Sequence, residues 1–257
     1  MRRADAMAMW RASIVLAGLF TGSGIPAAAA DPACHEIAHD GAGYMVCSFR
    51  ADTDDIRLWH SDPSGALLGS FRAVDALLRA EGARLGFAMN GGMYHQDRAP
   101  VGHYVESGES HVPLIETAGP GNFGLLPNGV FCLAAGRARI LETTAFAAAA
   151  PDCTYATQSG PMLVVDGALH PRFIRDSASL HIRNGVGVAE DGVTVHFAIS
   201  NGRVNFDAFG RLFRDALGTP NALYLDGKVS RLHAPEIGRS DLGWPMGPII
   251  GVAIPPE

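Results

Sequence analysis

Short apolar runs separated by Gly, Asn, Asp and Pro dominate the chain after its first thirty residues. Runs bounded in this way are typical of β-strands. Clear examples are RLGFAMN (84–90), NALYL (221–225) and GPIIGVAI (247–254), the last of which predicts a central strand. Several runs are joined by Asn-Gly or Asp-Gly, at 128–129, 166–167 and 191–192. These dipeptides favour two-residue hairpin turns because both turn positions need a positive φ.

Two segments, about 67–81 and 206–217, have helical rather than strand periodicity. In the first, the apolar side chains recur on one face and Gly82 can end the helix. In the second, Asn205 is a candidate N-cap and Gly218 a candidate terminator. Alternating βα units are absent, which argues against a Rossmann-type fold. The pattern predicts an α+β fold with a mixed, mostly antiparallel sheet and two main packing helices.

The first thirty residues are typical of a secretory signal peptide. Three arginines precede a short apolar stretch at 13–20, and small residues lead to a cleavage position after Ala30. The apolar stretch is too short to span a bilayer. We therefore expect a cleaved leader at 1–30, a single domain at 31–257, a periplasmic or secreted protein, and no membrane insertion after cleavage.

The charge of the chain excludes one class of partner. The net charge is −6, and it becomes −8 when the three Arg and one Asp of the first thirty residues are set aside. Nucleic-acid-binding domains carry basic patches or stripes, so we expect no nucleic-acid partner.

Four cysteines, Cys34, Cys47, Cys132 and Cys153, lie beyond the predicted leader. An even number in an exported protein favours disulfides, and three pairings are possible. Proximity in sequence favours Cys34–Cys47 and Cys132–Cys153. No C-x-x-C spacing is present, so zinc and thioredoxin-type functions are not indicated.

Five stretches are polar and glycine-rich where a strand should simply turn. They are NGGMYH (90–95), QSGPMLV (158–164), IRNGVGV (182–188), NGRVNF (201–206) and LDGKVS (225–230). Loops at strand ends often carry binding and catalytic residues. Each stretch alone is better explained as an ordinary turn.

Taken in order, the five stretches resemble the phosphodiester glycosidase domain family, over roughly residues 85–253. This is the family of the uncovering enzyme, which removes N-acetylglucosamine from a sugar phosphodiester, and the chain is most similar to a compact bacterial exported branch. Two departures stand out. LDGKVS has Lys228 and Val229 where the family usually has two glycines, and Met93 follows NGG with the aromatic one place later, at Tyr94.

The resemblance implies a hydrolase that cleaves a glycosyl phosphodiester or a related glycosidic linkage in envelope or extracellular polysaccharide. Such a site needs cations and amide donors for the phosphate, and one carboxylate to stabilise C1 or activate water. Asp226 is the candidate carboxylate, and Arg183 is the second candidate catalytic residue. Candidate substrate-binding residues are Asn90, Gly91, Gly92, His95, Ser159, Gly160, Asn184, Arg203, Gly227 and Lys228, the only lysine of the chain.

Two alternatives stay open. The Lys228–Val229 departure also fits a non-catalytic carbohydrate- or envelope-binding protein on the same fold. His95, His103 and His111, with Asp97 between them, allow a metal-dependent hydrolase, but their spacing matches neither an H-E-x-x-H helix nor a tight strand pair. We therefore expect no metal and no cofactor.

Overall fold

The computed structural model describes Met1 and residues 33–256, so the predicted signal peptide and its cleavage position lie outside the described residues. Seventeen strands occur in the described part of the chain. They are β1 (Cys34–His39), β2 (Ala42–Arg50), β3 (Asp55–Trp59), β4 (Arg84–Asn90), β5 (Tyr104–Glu106), β6 (Glu109–Val112), β7 (Gly129–Ala134), β8 (Arg137–Glu142), β9 (Tyr155–Ser159), β10 (Met162–Val165), β11 (Ala168–Leu169), β12 (Asn184–Val188), β13 (Thr194–Ser200), β14 (Asn221–Asp226), β15 (Leu232–Ala234), β16 (Arg239–Ser240) and β17 (Ile249–Ile254).

The strands form three sheets rather than the one sheet expected. A seven-stranded sheet has the order β1-β2-β13-β12-β14-β10-β11, and two five-stranded sheets have the orders β16-β15-β4-β17-β3 and β6-β5-β9-β7-β8. Every pairing between these strands is antiparallel. The α+β class is thus confirmed, and β17 lies inside its sheet, between β4 and β3, as its apolar sequence predicts.

The three sheets share one apolar core. The ring of Phe197, on β13, lies 5.1 Å from the ring of Phe87 on β4 and 6.3 Å from that of Phe131 on β7, measured between centroids. All three side chains are almost fully buried. Because each sheet contributes to this core, strands from different sheets are held in fixed positions relative to one another.

Helix α1 (Phe71–Ala80) begins four residues later than predicted, because Ser70 is its N-cap and accepts a hydrogen bond from the Ala73 amide. Leu67, the predicted start, instead forms an isolated bridge with Ser61 and is largely exposed. Gly82 follows the helix with a φ of 79°, as its sequence position predicts.

The second predicted helix is confirmed as α3 (Phe206–Arg211) followed by a π-helical segment, Leu212–Ala216. Asn205 caps it by accepting a hydrogen bond from the Ala208 amide. A third helix, α2 (Thr143–Ala149), is not predicted by periodicity, since TTAFAAA is short and has too few large apolar residues to mark a face. A 3-10 turn spans Pro235–Ile237.

The Asp166-Gly167 hairpin between β10 and β11 is confirmed, with φ values of 46° and 80°. The Asn128-Gly129 hairpin is wrong. Asn128 is buried, accepts a hydrogen bond from Thr143 Oγ1 at 2.7 Å, and precedes β7, whose actual turn lies at 135–136. Its amide side chain is used inside the fold rather than in a turn. β12 and β13 do form a hairpin, through the longer loop 189–193.

Both predicted disulfides are present. Cys34–Cys47 joins directly opposed residues of β1 and β2, and Cys132–Cys153 joins β7 to the segment before β9. Within residues 33–256, no helix has the length and apolar character needed to cross a bilayer.

Candidate functional site

Three strand ends meet through a buried pair of asparagines. Asn90, at the end of β4, and Asn184, at the start of β12, are both fully buried. Asn90 Nδ2 donates to Asn184 Oδ1 at 3.2 Å, and Asn184 Nδ2 donates to the Asn90 carbonyl at 3.0 Å. Asn184 Oδ1 also accepts from the Asp226 amide at 3.0 Å, and Asn90 Oδ1 accepts from the Arg231 amide at 3.1 Å. The pair therefore holds both ends of the 226–231 loop.

Asp226, the last residue of β14, has its carboxylate held by the loop that follows it. Its Oδ1 accepts from the amides of Gly227 at 2.6 Å and Lys228 at 2.9 Å. Burial raises the pKa of Asp226, although these amides and the charge of Lys228 oppose the rise. The result is a carboxylate that is fixed in orientation and protonates more easily than a solvated one.

A pocket of about 730 Å³ opens in front of Asp226. Its walls come from the loop after β4, the segments before β7 and before β12, the end of β14 with the loop that follows it, and the loop before β17. They include Met93, Tyr94, His95, Arg98, Val101, Gly121, Asn122, Phe123, His181, Tyr224, Asp226, Gly227, Lys228, Val229, Trp244 and Pro245. This volume is in the range of small-ligand sites, roughly 300–1,000 Å³.

The pocket combines one carboxylate with several basic groups. Among the described residues that line it, Asp226 is the only acidic one, whereas Arg98 and Lys228 contribute fixed positive charges, and His95 and His181 contribute imidazoles. Lys228 is exposed and sits two residues after Asp226. Such a lining suits a ligand that carries negative charge near a centre that the carboxylate can approach.

Aromatic rings form much of the remaining wall. Trp244 is 82% exposed although it lines the pocket, and Arg98 lies over the ring of Tyr94 at 5.4 Å. Burial, together with the charge of Asp226, raises the pKa of Tyr94. Flat apolar surfaces of this kind beside polar groups are common where sugars bind, since a sugar ring has both apolar faces and hydroxyl edges.

Arg183 lies beneath the pocket rather than in its wall. Its side chain is fully buried, Nε donates to the Val204 carbonyl and Nη2 to the Ser179 carbonyl, each at 2.9 Å. The guanidinium stacks on the ring of Phe206, 3.6 Å from its centroid. Among the described residues, carbonyl oxygens and an aromatic ring therefore surround the guanidinium, rather than a carboxylate. Burial lowers the pKa of Arg183.

The predicted glycines pack closely against neighbouring groups. A Cβ on Gly91 would lie 2.9 Å from the Ile250 amide nitrogen, and one on Gly160 would lie 2.7 Å from Asn128 Cβ. Gly92 has a φ of 153° and faces Thr157. None of these three lines the pocket, whereas Gly227 does. Their small size is explained by close contact between strands rather than by approach to an anion.

Two further predicted residues also lie outside the pocket wall. Ser159, at the end of β9, is buried and donates to the Leu225 carbonyl at 3.2 Å, so it supports the strand that ends at Asp226. Arg203 is exposed on the turn before α3. Of the predicted residues, the pocket brings together His95, Asp226, Gly227 and Lys228, with Asn90, Asn184 and Ser159 behind them.

Sequence reasoning missed several lining residues. Tyr94, Arg98, Asn122, His181, Tyr224 and Trp244 were not predicted as site residues. Tyr94 adjoins His95, His181 directly precedes the stretch IRNGVGV, and Tyr224 lies two places before Asp226 on β14. Their closeness in sequence to predicted residues was therefore a signal that could have found them. Nothing in the sequence distinguishes Arg98, Asn122 or Trp244 from surface loop residues.

The histidine-based metal site has no counterpart among residues 33–256, where no group of three or more His, Cys, Asp and Glu side chains could hold an ion. His103 Nδ1 instead contacts the Val112 carbonyl at 3.0 Å, and its ring packs on Phe146. His103 therefore has a structural role in the β5–β6 hairpin.

Comparison with known proteins agrees with this architecture. A model of the phosphodiester glycosidase family matches residues 83–234. The chain is 35% identical over 181 residues to the uncharacterized protein YigE of Escherichia coli (strain K12), and the match covers 70% of each chain.

Two solved structures share the fold at low identity. The catalytic domain of zebrafish N-acetylglucosamine-1-phosphodiester alpha-N-acetylglucosaminidase, auto-inhibited by its pro-peptide, matches with a TM-score of 0.57 at 12% identity, over 85% of this chain and 81% of that one. A putative exported protein from Burkholderia pseudomallei K96243 matches with a TM-score of 0.55 at 12% identity, over 82% and 74%.

Proposed function

The chain belongs to the phosphodiester glycosidase family, and from this premise we propose that it is an exported hydrolase that cleaves a glycosyl phosphodiester or a related glycosidic linkage. The substrate class is a sugar phosphate or polysaccharide of the envelope or extracellular space. One observation carries the proposal: a single buried carboxylate, Asp226, faces a pocket whose other charged groups are basic.

Asp226 is the group that acts at the anomeric carbon. When the bond between C1 and the phosphate oxygen breaks, positive charge develops on C1 and on the ring oxygen. A carboxylate fixed by the amides of Gly227 and Lys228 can stabilise that charge without reorganising. The same carboxylate can accept the proton of the water that adds to C1. The phosphate leaves as a stable anion, so a strong general acid is not required.

The basic groups bind the phosphate. Lys228 carries a flexible point charge, and Arg98 offers a planar fork that can bind two phosphate oxygens. Lys228 also occupies a position where the family usually has glycine, so we propose that it marks a changed substrate rather than a lost activity. Tyr94 and Trp244 supply ring surfaces for the sugar.

Export is supported by two observations. Both cysteine pairs are joined as disulfides, which persist in oxidising compartments. A structural neighbour is described as a putative exported protein. We propose a periplasmic or secreted location for this chain, after removal of the leader at 1–30.

The test is a screen of sugar-1-phosphodiesters, UDP-sugars and wall fragments, with release of free sugar measured by mass spectrometry. We expect Asp226→Asn to lower kcat at least about 1,000-fold while the unfolding transition persists. Asp166→Asn is the matched control, because Asp166 also precedes a glycine but lies in an exposed hairpin outside the pocket.

Three outcomes separate the candidates. Turnover that Asp226→Asn abolishes and Asp166→Asn preserves supports the proposal. Full activity in folded Asp226→Asn protein contradicts the role of the carboxylate. A sugar phosphate that is bound with micromolar affinity and never consumed favours the alternative of a non-catalytic binding protein.

A further inference from the structure

We propose that the hydroxyl of Tyr224 is a second catalytic group, which hydrogen-bonds the substrate phosphate on the far side of the scissile bond from Asp226. Arg183 positions and polarises this hydroxyl from beneath the pocket. The inference rests on the proposed function, because it assigns the phosphate half of a glycosyl phosphodiester to a residue of this chain.

Tyr224 and Asp226 both line the pocket at the end of β14. The pairing of β14 with β12 shifts register between them, since Gly185 lies opposite Tyr224 and the residue before it, Asn184, lies opposite Asp226. One strand end therefore presents a phenol and a carboxylate to the same pocket, where one substrate can contact both.

The hydroxyl of Tyr224 lies against the loop that carries the site. A Cβ on residue 227 would lie 2.0 Å from the phenolic oxygen, so only glycine at 227 leaves the hydroxyl in place. Asn122, another lining residue, interacts with the same side chain and opposes the rise of its pKa. Tyr224 is 1% exposed, and its ring is packed edge-on against the ring of Phe206, at 4.8 Å between centroids.

Arg183 is the group that makes this phenol different from other buried tyrosines. The guanidinium carbon is 5.4 Å from the centroid of the Tyr224 ring. Nε and Nη2 donate to carbonyls, whereas Nη1 is buried and makes no such bond to the described residues. Burial raises the pKa of Tyr224, and the neighbouring guanidinium opposes that rise. A positive charge next to the phenol makes its O–H a stronger donor to an anion. Because Arg183 does not line the pocket, whereas Tyr224 does, Arg183 acts through Tyr224 and is a positioning residue.

The chemical step needs no proton from Tyr224. The electron pair of the C1–O bond goes to the phosphate oxygen, and the O–H of Tyr224 donates a hydrogen bond to a phosphate oxygen as the charge on that group grows. Water supplies the hydroxyl that bonds C1, and its proton passes to Asp226. Tyr224 thus stabilises the leaving anion, as an oxyanion-hole donor does.

If Tyr224 binds the phosphate, its removal should lower kcat for substrates with a phosphate leaving group more than for substrates without one. For the sugar-1-phosphodiester with the highest turnover, we expect Tyr224→Phe to lower kcat about 100-fold. For the 4-nitrophenyl glycoside of the same sugar, which carries no phosphate, we expect less than about a threefold change in kcat. Tyr44→Phe is the matched control, since Tyr44 is also fully buried but lies outside the pocket, and its hydroxyl has no hydrogen-bond partner among the described residues. Equal losses on both substrates, or no loss, would overturn the proposal.

Binding gives a second measurement that does not depend on turnover. By calorimetry with the corresponding sugar 1-phosphate, we expect Tyr224→Phe to weaken binding about tenfold and Tyr44→Phe to leave it unchanged. If the wild-type protein binds the sugar 1-phosphate but hydrolyses no sugar-1-phosphodiester, the proposed function is contradicted. The ratio of the affinities of wild type and Tyr224→Phe still decides the role of Tyr224. Equal affinity of wild type and Tyr224→Phe, or no binding by wild type, would overturn the inference.

Arg183 is tested through the same readouts. We expect Arg183→Met to lower kcat for the phosphodiester with little change in KM, and Arg183→Lys to restore part of the loss, because Lys returns the charge without the planar fork. A loss that is the same for Met and Lys, or that appears equally on the nitrophenyl glycoside, would assign Arg183 a purely structural role.

Discussion

At the scale of single residues, the site depends on how each charged group is supported. Asp226 is 9% exposed, and it is bound by amides of its own loop rather than by a basic side chain. Lys228 is exposed beside it, and Arg183 is fully buried beneath it. The sequence identifies all three residues, but it does not show which of them can touch a ligand. That distinction depends on the direction of side chains on strands from different parts of the chain.

The raised pKa of Asp226 predicts an acid limit on activity. If the carboxylate must be ionised, kcat/KM falls as the pH drops through the raised pKa, which lies above the ordinary value of about 3.9. A kcat/KM profile between pH 3 and 8 measures this limit. An acid limb that lies at or below the ordinary value would contradict the assigned role.

The raised pKa of Asp226 also affects stability, which it favours at low pH rather than at high pH. Because the folded state binds the proton of Asp226 more tightly, the contribution of Asp226 to the free energy of unfolding is fully present below the unfolded pKa. It is lost as the pH rises through the folded pKa. Urea unfolding of the wild type and of Asp226→Asn over the same pH range measures this. We expect the free energies of unfolding of the two proteins to converge at low pH.

At the scale of elements, the 226–231 loop is positioned by strands of two sheets. Asn184 on β12 and Asn90 on β4 are joined to each other and to the backbone at both ends of the loop. The sequence places Asn90 and Asn184 next to glycines, which is also typical of ordinary turns. Their pairing across 94 positions of the chain follows only from the sheet arrangement, which periodicity does not specify.

Removal of this link should weaken both the fold and the site. We expect Asn184→Ala to lower the free energy of unfolding by about 1–3 kcal/mol, because buried partners lose their hydrogen bonds, and to lower kcat as the loop loses its support. Asn221→Ala is the control, since Asn221 Oδ1 accepts a hydrogen bond from the Asp166 amide near the surface. Urea unfolding and turnover measure both effects. An unchanged kcat in Asn184→Ala would contradict the positioning role of the pair.

The predicted elements were reliable where local signals were strong. RLGFAMN coincides with β4, and Asn205 and Gly218 bound the second helical segment as predicted. The hairpin predicted at Asn128-Gly129 was wrong because the side chain of Asn128 makes its hydrogen bond inside the fold. The sequence Asn-Gly is the same whether the asparagine lies in a turn or is buried.

At the scale of the whole molecule, the sequence predicts the class but not the number of sheets. Strand alternation shows that a face is buried, but not against which sheet it packs. The meeting of three sheets at Phe197 is therefore a result of the structure. The single domain at 31–257 and the leader at 1–30 stay predictions. The pairing of the cysteines could be predicted from the sequence, because both disulfides close short loops.

The disulfides should stabilise the fold without taking part in the site. None of the four cysteines lines the large pocket. We expect the double change Cys132→Ala and Cys153→Ala to lower the free energy of unfolding by about 3 kcal/mol, from the loop that the bond closes, and to leave KM unchanged. Urea unfolding and kinetics of folded protein measure this. A large rise in KM would show that the disulfide shapes the pocket.

We propose that this protein breaks the bond between the anomeric carbon and the bridging oxygen, not the bond between that oxygen and phosphorus. Hydrolysis of a sugar-1-phosphodiester in water enriched with ¹⁸O distinguishes the two, with both products analysed by mass spectrometry. Attack at C1 beside Asp226 predicts that the label enters the anomeric hydroxyl of the sugar and that the phosphate product stays unlabelled. Label in the phosphate product would contradict the glycosidase mechanism and assign the pocket to phosphodiester hydrolysis.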